Sequence, residues 1–345
     1  MEKRDILSMS FEELTAAVKE LGEPVFRAKQ IYSWLHVSCV TSFDDMTNIS
    51  KALRQKLNDN FVIFTVSIEK KLISEYDYTQ KYLYKLHDGE FIESVLMKYK
   101  YGYTICVSTQ VGCRMGCKFC ASTLDGVVRN LTASEILSQV YEAQRDNDIK
   151  ISHVVLMGMG EPLDNYDNVM RFLSLITDEN GQNMSMRHIS LSTCGVVPKI
   201  YDLMEKDLQL TLSVSLHAPD DEIRSSMMPV NRKWNIDELL TACRKYTDAT
   251  RRRISFEYAM VSGVNDSDDC ARLLARKLRG ILCHVNLIPV NEVKETGCKK
   301  SSRERIESFS AILEKNGYAV TVRRKLGSDI NASCGQLRRS SKKEE

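Results

Sequence analysis

From Thr104 onward the chain repeats one unit: a short apolar, β-branched run, a loop, then a stretch with helical periodicity. The runs fall at 104–109 (TICVST), 153–158 (HVVLMG), 188–193 (HISLST), 210–217 (LTLSVSLH), 254–261 (ISFEYAMV), 284–290 (HVNLIPV) and 319–324 (AVTVRR). Helical stretches such as TASEILSQVYEAQR and NVMRFLSLITD lie between them. Short apolar strands alternating with helices pack as a parallel sheet. No Rossmann glycine fingerprint accompanies them, so the repeat predicts a barrel or partial barrel. Unusual polar segments follow the runs in phase: three cysteines after the first, Gly160-Glu161-Pro162 after the second, and Ser192-Thr193-Cys194-Gly195 at the end of the third. His217-Ala218-Pro219 closes the fourth, and Asn291 follows the sixth. Each alone could be turn chemistry, but in a βα barrel that end of the strands is where the active site is built.

Ahead of the repeat, residues 1 to about 75 read as short helices. FEELTAAVKELG ends on Gly22, EPVFRAKQIYSWLHV carries Pro24 in its first turn, and ISKALRQKLNDNF offers Ser50 as an N-cap. Residues 76–98 switch to period-two alternation around an Asp88-Gly89 hairpin turn. The organisation expected is therefore a helical accessory region over 1–75, with Arg27, Lys29, Arg54 and Lys56 as candidate RNA contacts, and a β-hairpin extension over 76–98. A core barrel over 99–330 and a C-terminal segment over 331–345 with a basic tail complete it. A net charge of +2 argues neither for nor against a polyanion partner, which local patches would have to meet. Arg251, Arg252, Arg253, Arg323, Arg324, Lys325 and the tail LRRSSKKEE are further candidates, although basic runs are most often solvated faces. The N-terminus lacks the apolar core of a secretory signal, and no apolar run approaches about 18 residues. A cytoplasmic monomer without membrane contact is expected, its thiols kept reduced.

Eleven cysteines are many, and an odd number leaves one over from any pairing scheme. VGCRMGCKFCAST places Cys113, Cys117 and Cys120 within eight positions. A structural zinc wants four closed ligands, usually as two separated pairs, and no second pair lies downstream. Three thiolates can hold three irons of a four-iron, four-sulfur cluster and leave the fourth iron open to another ligand. Zinc with a distant ligand, or three unrelated buried cysteines, are the alternatives. Gly112 and Gly116 allow tight wrapping, and Lys118 and Phe119 would cover a cluster. Cys39, Cys194, Cys243, Cys270, Cys283 and Cys298 read as packing or surface residues, Cys194 less securely because it lies at the active end of a strand.

C-x-x-x-C-x-x-C after the first strand of a βα series resembles the radical S-adenosylmethionine (SAM) superfamily. The resemblance implies a partial (β/α)6 TIM-like barrel of the radical SAM type with a small helical N-terminal domain. It also implies that the open iron of a [4Fe-4S] cluster chelates exchangeable SAM, whose reduction releases a 5′-deoxyadenosyl radical. Gly158-Met159-Gly160-Glu161-Pro162 resembles the superfamily's glycine-rich segment at the methionine amino group.

GMGEPLDN, LSTCGVVP, SVSLHAPDDEIRSSMMPVNR, FEYAMVSGVND, HVNLIPVN and GSDINASCGQL together resemble the adenosine-C2 methyltransferases of bacterial 23S ribosomal RNA, a family that in many bacteria also methylates transfer RNA. Carbon 2 of adenine is an electron-poor amidine carbon that will not attack a sulfonium methyl group, whereas a carbon radical adds to it, and such hard steps fall to cofactors. The resemblance implies two SAM molecules per turnover. Cys334 would become the S-methylcysteine intermediate, Glu93 would accept the C2 proton, and Cys106 would release the product through a transient disulfide with Cys334. It implies SAM contacts from Gly160, Glu161, Ser192, Ser215, Leu216, His217 and Asn291, cluster ligands Cys113, Cys117 and Cys120, and a one-electron donor such as flavodoxin or ferredoxin. By pattern alone Cys106 would be core, Glu93 a solvated strand face and His217 a satisfied core histidine. A sister family that methylates carbon 8 shares the cluster and both cysteines; Pro162 and NLIPVN fit the C2 group. Ser333 and the sequence after Asn291 depart from that group's usual residues. A zinc-containing, non-enzymatic RNA-binding protein is the alternative from another class.

Overall fold

The computed structural model describes residues 3–290 and 297–332. It opens with helices α1 (Phe11–Glu20), α2 (Phe26–His36) and α3 (Lys51–Asn60). Ser10 caps α1 in a reciprocal box with Glu13, and the Ser50 hydroxyl accepts the Leu53 N–H at the start of α3, as the sequence predicts. Leu14, Val18, Ile31, Leu35, Leu53 and Leu57 turn inward and join the main hydrophobic core.

Among the described residues ten strands then form one sheet. They are β1 (Ser67–Ile73), β2 (Gln80–Lys85), β3 (Phe91–Tyr99), β4 (Gly102–Cys106) and β5 (Ile151–Leu156). The rest are β6 (Ile189–Thr193), β7 (Thr211–Ser215), β8 (Ile254–Met260), β9 (Cys283–Pro289) and β10 (Ala319–Val322). Their order across the sheet is their order along the chain, with β1 and β10 as its two edges. The first three pairings are antiparallel, and from β4 onward every pairing is parallel. The parallel part is joined by α4 (Ala133–Asn147), α5 (Tyr166–Thr177), α6 (Val197–Glu205), α7 (Asp221–Met227) with α8 (Ile236–Thr250), α9 (Asp268–Lys277) and α10 (Arg303–Lys315). Six helical crossovers on a sheet that keeps two edges make the partial (β/α)6 barrel expected from the repeat. Among the described residues no helix is long and apolar enough to cross a membrane.

One stretch differs from its sequence reading. Residues 67–73, placed among the N-terminal helices, form β1 at the edge of the sheet. SIEKKLI carries three consecutive charged residues at its centre, and a bulge between Ile68 and Lys70 breaks the alternation that would mark a strand. Charge is what an edge strand uses to discourage pairing with other chains.

Register explains how one face becomes a site. Leu83 opposes Glu93, Lys81 opposes Val95, and Val95 opposes Cys106. Cys106 opposes Val155, Val155 opposes Ser190, and Ser192 opposes Ser213. Ser215 then opposes Glu257, Glu257 opposes Asn286, and Asn286 opposes Thr321. Because side chains alternate faces and registered partners share one, these residues lie on one continuous surface, the inside of the partial barrel.

Candidate active site

The three cysteines follow β4 through a short antiparallel pairing of Gln110–Gly112 with Val127–Asn130. Gly112 has φ +77°, and a Cβ there would overlap the Gly126 carbonyl oxygen, which accepts the Cys113 N–H at 2.9 Å. Cys120 N–H donates to Cys117 O at 3.1 Å, and the Thr123 hydroxyl donates to the carbonyls of Cys117 and Cys120 at 3.2 and 2.9 Å. Lys118 N–H donates to Met227 O at the end of α7, 2.9 Å away. Met115, Cys117 and Phe119 pack against a separate apolar cluster that includes Met227, Met228, Val230, Val261 and Val290. The loop is thus fixed by its own turns below and by α7 beside it.

Facing the loop, across a cavity of about 170 Å³ that opens to solvent, stand Gly160, Glu161, Ser192, Ser215 and His217, and all three cysteines reach the same cavity. Gly160 has φ +100°, and a Cβ there would come within 2.7 Å of the Gln110 side chain. Glu161 is buried, and burial pushes its carboxyl up; Oε1 accepts Leu163 N–H at 3.0 Å and Oε2 accepts Cys194 N–H at 2.7 Å. A carboxylate keeps lone pairs beyond those two, so an ammonium group in the cavity can still be met. His217 is buried with Nδ1 accepting Ala259 N–H at 2.8 Å, and burial holds its ring down to about 3. It is therefore a neutral histidine bonded into the barrel as well as a cavity wall. Leu216 is 1% exposed and does not line the cavity; its N–H donates to Glu257 O at 3.1 Å.

Glu93 and Cys106 lie beside this cavity on the inner face; both are buried, and neither lines it. The Ser108 hydroxyl donates to Glu93 O at 2.6 Å and accepts Met159 N–H at 2.9 Å, tying β3 to the glycine-rich segment. Asn291 and Cys334 lie outside the described residues.

The donor set fits an iron–sulfur cluster. Burial pushes the Cys113 thiol up to about 12 and the Cys117 thiol well above its usual range, so both are neutral until a cation draws off their protons. Among the described residues no three His, Cys, Asp or Glu side chains gather as a single ion requires. A cluster takes its thiolates at separate irons, and Cys113, Cys117 and Cys120 all line one cavity.

Two features are given no role in the site by the sequence, in which Cys194 reads as a packing or surface residue and Arg224 is not singled out. Cys194 lines the same cavity and is a buried fourth thiol there. Arg224 on α7 is fully buried and donates to Leu216 O at 3.1 Å, Ser215 O at 3.2 Å, Cys194 O at 2.7 Å and Asn231 Oδ1 at 2.9 Å. It binds the ends of β6 and β7 into one rim. The periodicity of DDEIRSSM places an arginine on a helix, and nothing local says that it points inward.

The family model of the Radical SAM superfamily matches residues 107–274, and that of the Ribosomal RNA large subunit methyltransferase N-terminal domain matches residues 4–63. A "Probable dual-specificity RNA methyltransferase RlmN" of Clostridium novyi (strain NT) is 55% identical over 337 residues, 98% of each chain. A protein of the same name from Clostridium botulinum (strain Eklund 17B / Type B) is 57% identical over 98% of this chain and 97% of its own. The crystal structure of a radical SAM methyltransferase from Sphaerobacter thermophilus superposes with a TM-score of 0.94 at 42% identity, covering 98% of this chain and all of that one. With the cysteine loop and the facing rim already in place, these likenesses settle the assignment: the chain belongs to the RlmN family of radical SAM RNA methyltransferases.

Proposed function

We propose that the enzyme methylates carbon 2 of an adenosine in the peptidyl transferase centre of 23S ribosomal RNA and, in keeping with relatives named as dual-specificity RNA methyltransferases, a second RNA, which the family resemblance implies is transfer RNA at the adenosine beside the anticodon. The observation that carries this reading is the single inner face shared by the cysteine-loop cavity, Glu93 and Cys106. Cys113, Cys117 and Cys120 would hold a [4Fe-4S] cluster, with Gly160, Glu161, Ser192, Ser215, Leu216, His217 and Asn291 around SAM. When bound, the cluster supplies one electron at a time to the SAM sulfonium, drawn from a donor such as flavodoxin or ferredoxin.

The protein's own residues would do the rest. Cys334 takes a methyl group from one SAM, and a second SAM is consumed in joining that carbon to the adenine. Glu93, buried where water cannot compete, accepts the proton that leaves C2. Cys106, one strand away, attacks the Cys334 sulfur: a disulfide forms as the carbon–sulfur bond breaks, its electron pair stays on the methylene carbon, which takes up a proton to become the methyl group, and an external thiol reductant reopens the disulfide. An adenine reaches this mouth only after leaving its stack, which costs a few kcal/mol and favours loops or incompletely assembled RNA.

The test is anaerobic: the cluster-loaded protein with dithionite, SAM and unmodified ribosomal RNA, followed by nucleoside mass spectrometry. 2-Methyladenosine together with 5′-deoxyadenosine is the expected result. 8-Methyladenosine would replace the regiochemistry, and neither product from a loaded cluster would overturn the reading. The same assay on unmodified transfer RNA decides the second substrate.

A further inference from the structure

We infer that Lys81 is a positioning residue for the proton-transfer step, holding the Glu93 carboxylate and the backbone ahead of Cys334 in one fixed relation. Its Nζ lies 2.8 Å from Glu93 Oε1, and the two side chains are 11% and 5% exposed. The same ammonium donates to Asn331 O at 3.3 Å, three residues before Cys334. An ammonium group has three protons to give, so one lysine can serve both acceptors.

The sheet sets this up. With Lys81 opposite Val95 and Leu83 opposite Glu93, Lys81 and Glu93 are diagonal neighbours on the inner face, within reach of a long side chain. Val95 in turn opposes Cys106, so lysine, carboxylate and resolving thiol occupy adjacent positions on three successive strands. The β1–β2 turn that leads into Lys81 grips the C-terminal segment as well. The Asp77 carboxylate accepts Gly327 N–H at 2.9 Å, and Asp329 accepts the Ser74 hydroxyl at 2.7 Å and Glu75 N–H at 2.9 Å.

Stability alone does not account for the pair. A buried ion pair contributes near zero on balance against an apolar pair of equal volume. Its chemical consequence is specific. A carboxylate taken out of water tends to keep its proton, and an adjacent cation favours the ionised form that can accept one. In the step at issue the proton on carbon 2 passes to Glu93, the C–H bonding pair stays in the adduct that joins RNA to Cys334, and the adduct's unpaired electron would leave to a one-electron acceptor such as the oxidised cluster. Only then can Cys106 release the product.

The inference rests on the reading of Glu93 as proton acceptor and Cys334 as carrier, and the experiment separates the two. Full-length Lys81→Met, Lys81→Arg and Glu93→Gln proteins, loaded with cluster, are compared with the parent on an RNA fragment containing the target adenosine. Three quantities are read: the methyl group on Cys334 by peptide mass, RNA covalently held to protein on a denaturing gel, and 2-methyladenosine. Lys81→Met is expected to keep the methyl group on Cys334, to accumulate the covalent adduct, and to lose roughly tenfold to a hundredfold in product, with Lys81→Arg restoring most of it. If Glu93→Gln accumulates adduct but Lys81→Met turns over like the parent, the role of Lys81 is overturned and that of Glu93 stands. If Lys81→Met loses the methyl group on Cys334 as well, its role is structural and the inference is overturned. If Glu93→Gln itself accumulates no adduct, the underlying reading falls and the inference with it.

Discussion

The carboxylate of Glu161 accepts the backbone N–H of Cys194 at 2.7 Å, so the glycine-rich segment after β5 and the end of β6 are one rigid wall. That bond fixes Cys194 in the cavity that Cys113, Cys117 and Cys120 also enter. Four thiols therefore face one space, and the chemistry requires deciding which of them hold iron.

Cys194→Ser is expected to retain the iron and sulfide content of the parent after anaerobic reconstitution, with the same brown absorbance. Cys113→Ser, Cys117→Ser and Cys120→Ser are each expected to lose most of it. The reasoning is that Cys194 follows the C-terminal end of β6, with its backbone committed to Glu161 and Arg224, whereas the other three lie on a loop that wraps itself. Equal loss in Cys194→Ser would make four ligands and close the open iron position.

Arg224→Met should be among the most damaging single changes in the chain. It strands the Cys194 and Leu216 carbonyls and the Asn231 amide oxygen, all buried, and a buried acceptor left unpaired costs about 1–3 kcal/mol. Part of that is offset because a desolvated charge is removed at the same time. A net loss of about 3 kcal/mol in urea unfolding, with weaker SAM binding by equilibrium dialysis, is the expected outcome. Parent-like unfolding and SAM binding would show that the rim holds without it.

The strands were readable because each is a short apolar, β-branched run bounded by turns and separated from the next by a helical crossover. Ser50 was readable as a cap because capping is local. The cysteine loop was readable because its glycines and thiols are close in sequence. Lys81, Glu93 and Arg224 were not readable from pattern, since what gives each its environment is registration between strands or packing across a rim. Glu93 resembled a solvated face in FIESVLM for this reason, yet it is 4% exposed. β1 was hidden by its own charges, and Cys106 would have passed for core without the family resemblance.

Acid should destabilise the fold through its buried histidines. Burial pushes His36 and His217 down to about 3, well below the usual 6.5, so both are neutral when folded. An unfolded chain takes up those protons as pH falls below about 6.5, and the folded chain does not until about 3. The stability each histidine contributes is thus complete above about 6.5 and is lost progressively down to about 3. At pH 5 this amounts to about 2 kcal/mol for each. His36 is the one to change, because it packs far from the cavity, with Nδ1 3.0 Å from the Tyr141 hydroxyl. The difference in unfolding free energy between pH 7.5 and pH 5 should be about 2 kcal/mol smaller in His36→Gln than in the parent, whatever the variant does to absolute stability. An unchanged difference would mean that His36 is protonated in the folded state.

Asp329 offers a test of how much the C-terminal segment depends on its anchor. Its two hydrogen bonds, from the Ser74 hydroxyl and Glu75 N–H, join the β1–β2 turn to a stretch that ends five residues later at Cys334. Asp329→Ala removes both bonds and touches neither the cavity wall nor the cysteine loop. SAM cleavage to 5′-deoxyadenosine in the absence of RNA should therefore be unchanged. On the proposed mechanism methyl transfer would need Cys334 brought to the inner face with ångström precision, and misplacement on that scale costs roughly tenfold to a hundredfold in rate. The expected result is a fall in 2-methyladenosine of that size, with cleavage preserved and the unfolding midpoint little changed. Asp329→Asn, which keeps an acceptor oxygen for one of the two donors, should fall between Asp329→Ala and the parent. If both variants methylate RNA at the parental rate, the segment finds its place without the turn, and the grip of Asp329 serves the fold alone.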